Sequence, residues 1–226
     1  MAPQERTANA PRPAAPPTRR TLALLACAAI ALTLERSVRT FPYVPGELEL
    51  FAVVLAKSAV LAAGFAGARA LGHSPRALGL AWPSPRGRPL MALAVVAAAV
   101  GGVALGQLDG VRAHSPLYEP ARSSVGALAL STCLFAAYAF AWELTFRGVL
   151  LFGAAPLLGR ASLVAQAAVF ALAHLGKPGV ELALAFPGGL AFGLLALRAR
   201  SVVAPFAAHV ALALAVNVAC IAPRLR

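Results

Sequence analysis

The sequence predicts an all-α polytopic membrane bundle, and three observations carry that prediction. The 226-residue chain is 60% apolar but only 12% charged, with a mean hydropathy of +0.76. An ordinary soluble domain carries about 25% Asp, Glu, Lys and Arg, so a water-soluble globule of this composition lacks the charge to cover its surface. The apolar residues gather into runs, several close to the roughly 20 residues that a helix needs to cross a bilayer core. Most of the arginines fall in the short breaks between those runs.

Residues 1–20 hold five prolines, four arginines and one acid; such a segment buries too little apolar surface to offset its ordering entropy, which predicts a disordered basic tail. The run 21–34 after Arg19 and Arg20 has the outline of a twin-arginine signal, and Leu24-Leu25-Ala26-Cys27 faintly that of a lipoprotein cleavage site. Six further apolar segments come after it, so the run reads instead as a first, short membrane helix. The later spans are 50–71, 89–108, 124–146, 161–175, 180–198 and 201–221. The run 161–175 is short for a crossing, and 148–158 is too short to cross alone, so it either extends the fourth helix or dips back into the membrane. The count is seven spans, with eight as the upper alternative. The tail 1–20, N-terminal spans over 21–123 and a C-terminal core over 124–222 make up the expected organisation. Abundant Ala and Gly in the spans suit helices that pack closely without a hydrophobic drive between them.

Charge sets the expected orientation. The chain has 20 Lys and Arg against 8 Asp and Glu, a net +12. A basic balance can mark a nucleic-acid binder, but no stretch here interleaves basic with aromatic residues. With the N-terminus inside, twelve Lys and Arg fall on the inner side and seven on the outer, leaving Lys57 within the second span. That bias predicts an N-terminus in the cytoplasm and a multi-pass protein of the cell (inner) membrane. Cys27, Cys133 and Cys220 lie inside apolar runs without ligand-like spacing and read as small buried hydrophobes.

Ionisable groups within membrane spans cost a few kcal/mol at a helix centre, so those present mark candidate functional positions. They are Lys57, Glu143, Arg147, His174, Glu181 and His209, with Asn217 as a polar companion. Glu143 and Arg147 are four residues apart, on one helix face, and able to pair; alone they read equally as a structural ion pair. Phe170 and His174 share a face by the same spacing. His209, Ala213 and Asn217 line one face at i, i+4 and i+8. A carboxylate with imidazoles in a dry pocket is a general-base set.

The order Trp142-Glu143-Leu144-Thr145-Phe146-Arg147, then Phe170-x-x-x-His174, then the Gly-containing FPGGLAFG, then His209 resembles the CAAX-protease and bacteriocin-processing family. These are multi-spanning intramembrane glutamic endopeptidases, and the resemblance covers roughly residues 125–220. The composition also resembles myxosortase-like members that process C-terminal sorting tails. The resemblance implies that Glu143 and His174 activate water and that His209, with an asparagine nearby, stabilises the oxyanion. Arg147, Phe170 and Asn217 would support them. No cofactor and no metal is implied, although two histidines and a glutamate have the chemistry for zinc. The implied partners are the lipid bilayer and a membrane-anchored or lipidated protein substrate, with no nucleic acid. Two positions depart from the family pattern. Trp142 stands where a first glutamate is usual, and neighbouring helix residues differ by about 100° in direction, so Glu143 reaches its predecessor's place only if the helix is rotated or irregular there. Ala213 stands where the family commonly has Asn, with Asn217 one turn further on.

The sequence supports three readings: an endopeptidase cleaving near the C-terminus of its substrate, a catalytically silent relative that binds in the same place, and a transporter using Lys57, Glu143 and Glu181. No inverted hydropathy repeat supports the third.

Overall fold

A computed structural model describes residues 17–37, 46–177 and 179–222 of the protein. The expected tail lies outside the described residues up to residue 16. Seven principal helices form the bundle: α1 Pro17–Ser37, α2 Glu47–Ala70, α3 Gly87–Leu105, α4 Val125–Glu143, α5 Ala161–Leu172, α6 Gly179–Ala199 and α7 Val203–Ile221. No strand occurs among the described residues.

α1 starts four residues ahead of the expected Thr21 and ends three beyond Leu34. Pro17 suits a helix start because its missing N–H would have no partner there. The longer helix takes in Glu35 and Arg36, which the hydropathy pattern assigns to a loop. α1 and α2 meet through small residues: a Cβ on Gly64 would lie 3.1 Å from that of Ala31.

α3 lies backbone-close against α7. A Cβ on Gly102 would approach the Leu212 carbonyl oxygen to 2.6 Å, and one on Gly106 would come within 2.6 Å of the Ala219 Cβ. Close approach of this kind is how apolar helices associate where burial from water gives no advantage.

α4 is capped by Ser124, whose hydroxyl accepts from the Ala127 N–H at 3.2 Å. It does not stop at Glu143. The chain continues as a wider π-helix over Leu144–Gly153 and one further α turn, Ala155–Leu158, giving a 34-residue apolar stretch Val125–Leu158. The piece 148–158 therefore extends the fourth helix. Every residue from 141 to 151 is buried, so this stretch forms the centre of the bundle.

Five helices are long and apolar enough to cross a membrane: α2, α3, the Val125–Leu158 stretch, α6 and α7. Of the other two expected crossings, α5 has 12 residues, about 18 Å of rise against a hydrocarbon core of about 30 Å. α1 has 21 residues but carries Arg19 and Arg20 at one end and Glu35 and Arg36 at the other.

Successive helices alternate in direction, which sorts the charges. The start of α1, the end of α2, the link to α3, the start of α5 and the α6–α7 link share one end. There the Ser84 N–H donates to the Ala199 carbonyl and the Val202 N–H to the Gly79 carbonyl. That end holds Arg19, Arg20, Arg69, Arg76, Arg86, Arg88, Arg160, Arg198 and Arg200. Glu35, Glu47, Glu49, Asp109, Glu119 and Glu181 belong to the opposite end. Glu143 belongs to neither.

Candidate functional site

Glu143 closes α4 where its hydrogen-bonding pattern widens. Single-turn π segments recur at functional sites because the altered pitch re-aims side chains, and here the widening extends over ten residues. The helix is irregular here, but the π-helix begins at Leu144, one residue beyond the glutamate.

The Glu143 side chain is fully buried, as is Arg147. Arg147 Nη1 donates to Glu143 Oε1 at 3.3 Å, and its Nε lies 3.2 Å from Oε2. His209 approaches from α7, its Nδ1 2.8 Å from the same Oε1. A carboxylate oxygen only accepts, so the imidazole N–H donates and the second ring nitrogen, Nε2, is left for other chemistry. The pairing is incomplete: Glu143 Oε2 and Arg147 Nε and Nη2 are buried without a hydrogen bond among the described residues.

Aromatic rings wall the group. The Arg147 guanidinium carbon lies 4.5 Å from the Phe170 ring centroid and 5.4 Å from that of Phe192, a cation–π arrangement favoured by exclusion of water. Phe135 and Phe192 flank the His209 ring at 5.7 and 5.6 Å.

His174 sits in the turn after α5. Its Nδ1 donates to the Phe170 carbonyl at 2.7 Å, and its ring stacks on Phe170 at 4.5 Å. Nε2 of this ring is likewise left as the acceptor. Phe170 thus stands between His174 and Arg147, linking the histidine to the ion pair through a ring. Trp142 packs among Tyr138, Phe146, Phe170 and His174, its centroid 6.1 Å from the His174 ring. Its indole N–H is buried without a partner among the described residues.

The remaining sequence candidates lie elsewhere. Asn217 is half-buried on α7, about 12 Å of helical rise beyond His209. Glu181 occupies the first turn of α6, and Lys57 pairs with Glu35 at 2.7 Å. Cys27 is half-buried, Cys133 exposed and Cys220 buried. Among the described residues, no group of three His, Cys, Asp or Glu could hold a metal ion; the Arg147 guanidinium already stands beside the Glu143 carboxylate.

Sequence reasoning missed Glu35, which is buried and accepts from both Lys57 and the Tyr138 hydroxyl, at 2.7 and 2.9 Å. The available signal was Lys57 itself, since a membrane-embedded cation requires an acid partner.

A helical membrane bundle with a buried carboxylate–guanidinium–imidazole centre defines a polytopic membrane protein with the groups for acid–base chemistry. Residues 124–215 match the family model described as "Type II CAAX prenyl endopeptidase Rce1-like". Over these residues, which are less than half of the chain, the protein is similar to the CAAX-type membrane endopeptidases within the CAAX-protease and bacteriocin-processing proteins. No curated protein and no solved structure matches the chain.

Proposed function

We propose that this protein is an intramembrane endopeptidase that hydrolyses a peptide bond near the C-terminus of a membrane-anchored or lipidated protein, using water activated by Glu143, His174 and His209. The 2.8 Å bond between the His209 imidazole and the fully buried Glu143 carboxylate carries the proposal. A carboxylate that accepts from one ring nitrogen fixes the orientation of the ring and stabilises the positive charge it acquires on taking a proton. Nε2 of His209 is then the proton acceptor for water, with Glu143 acting through it, and Nε2 of His174 presents a second acceptor. The buried Arg147 Nη2 and the Trp142 indole N–H, which make no hydrogen bond among the described residues, supply hydrogen bonds for charge that develops on the scissile carbonyl oxygen. His209 lies about 9 Å of rise into α7 from the arginine-rich end. The positive-inside bias assigns that end to the cytoplasm, with the N-terminus inside and residues 124–222 as the core that acts on substrate.

A second reading is a relative that binds its client without cutting it. Trp142, packed edge-on against His174, favours that reading. The two separate when membranes from cells producing wild type or Glu143→Gln are compared for C-terminal peptides of membrane proteins by mass spectrometry. Hydrolysis predicts truncated C-termini in wild type that disappear in Glu143→Gln and in His209→Ala at equal protein levels. Identical C-termini in wild type and both variants, with a different set only on deletion of the gene, establish the binding role.

A further inference from the structure

The structure assigns Arg36, at the end of α1 and outside the family-matched segment, the role of a positioning residue for His174. Its Nη1 donates to the Ala173 carbonyl at 2.8 Å and its Nη2 to the Leu175 carbonyl at 3.0 Å. The two bonds bracket His174 in sequence. They have a plain physical basis: α5 ends at Leu172, and carbonyls at a helix end have no partner within the helix. A guanidinium offers two donors in a fixed fork, so one side chain holds both peptide groups and fixes the turn between them.

Arg36 is itself exposed, so its grip depends on what holds the end of α1. That anchor is the neighbouring residue. The Glu35 carboxylate accepts from Lys57 Nζ of α2 at 2.7 Å and from the Tyr138 hydroxyl of α4 at 2.9 Å. The same ammonium donates to the Glu35 carbonyl at 3.1 Å. α1 is thereby tied to two helices and reaches from them to the histidine turn. From the other side, the Tyr138 ring packs on Trp142 at 5.5 Å, and Trp142 packs on His174. The His174 ring is thus fixed by Phe170, by Trp142 and, through its backbone, by Arg36. A displacement of about 1 Å at a reacting group can cost on the order of a hundredfold in rate, so a clamp on this turn governs catalysis without touching substrate.

The kinetic part of this inference rests on the hydrolase reading; the structural part does not. The test uses the full chain in lipid nanodiscs and compares wild type, Arg36→Gln and Arg88→Gln, the last altering a cation at the opposite end. Amide exchange over residues 172–177 is expected to quicken about tenfold in Arg36→Gln alone, with the melting temperature nearly unchanged. Processing of a substrate found by C-terminal mass spectrometry is expected to show kcat lowered about tenfold or more, with KM within about twofold. Arg36→Lys, which retains one donor to the turn, should recover part of both effects, and it serves as the probe where Arg36→Gln does not reach the membrane. Unchanged exchange in both Arg36 variants, or a loss of processing that only tracks loss of folded protein, overturns the assignment. If Glu143→Gln processes substrate like wild type, the hydrolase reading fails, and the exchange measurement alone decides the clamp.

Discussion

Two buried carboxylate–cation pairs lie within this bundle, and they differ in how fully they are satisfied. Around Glu35, the Lys57 ammonium and the Tyr138 hydroxyl both reach one carboxylate oxygen, and among the described residues no fully buried side-chain N or O of the three lacks a hydrogen bond. Around Glu143, one carboxylate oxygen and two guanidinium nitrogens make no hydrogen bond among the described residues, although Oε2 and Nε face each other as an ion pair at 3.2 Å, while an imidazole joins from another helix. A buried charge with incomplete hydrogen bonding costs stability. The protein bears that cost at Glu143 and avoids it at Glu35. Under the proposed function, the contrast separates a pair that holds helices together from a pair kept open for an incoming group, since under-satisfied polar clusters concentrate where function needs them.

The largest expected effect breaks the open pair. Glu143→Gln keeps an acceptor for the imidazole but no longer stabilises its charge, so processing should fall by a factor of about 10³ or more, as in other carboxylate–histidine pairs. C-terminal peptide quantification at matched protein levels checks it. Next comes Arg147→Met, which leaves the Glu143 carboxylate without its cation in a dry site. It should destabilise the fold by about 3–5 kcal/mol, read as a lowered midpoint of thermal or denaturant unfolding in detergent. Within the saturated pair, Tyr138→Phe removes one hydrogen bond to a charged group and should cost about 1.5–3 kcal/mol by the same measurement. A Tyr138→Phe cost equal to or above that of Arg147→Met would reverse the contrast between the two pairs. The smallest effect lies away from both: Gly106→Ala sets a methyl against Ala219 on α7 and should cost about 1–3 kcal/mol through overpacking, with processing per folded molecule retained.

Much of this was legible from residue order. Hydropathy located all seven principal helices, because each arises from a local run of apolar residues. The spacing of Glu143 and Arg147 gave their pairing, which needs only one turn of one helix. The bond from His209 spans 66 residues of sequence; the rarity of ionisable groups in the spans and the family resemblance grouped the two residues beforehand, but neither gave the contact. Glu35 escaped because its partners lie 22 and 103 residues away, and because the hydropathy pattern closes α1 one residue before it. The π-helix has no side-chain signature of its own. Its trace in the sequence is indirect: an acid displaced by one position at Trp142-Glu143, then Gly148 and Gly153, where a Cβ would meet the Leu78 carbonyl oxygen at 3.1 Å and the Leu24 side chain at 2.3 Å.

The central claim is that the Glu143–His209 pair makes water a nucleophile, and isotope incorporation tests it most directly. Membranes containing wild type or Glu143→Gln are incubated in water enriched in oxygen-18, and the newly formed C-termini are weighed. Hydrolysis at this site predicts one heavy oxygen in each new C-terminal carboxylate from wild type and no labelled termini from Glu143→Gln. Equal labelling in both samples, or none in either, contradicts it.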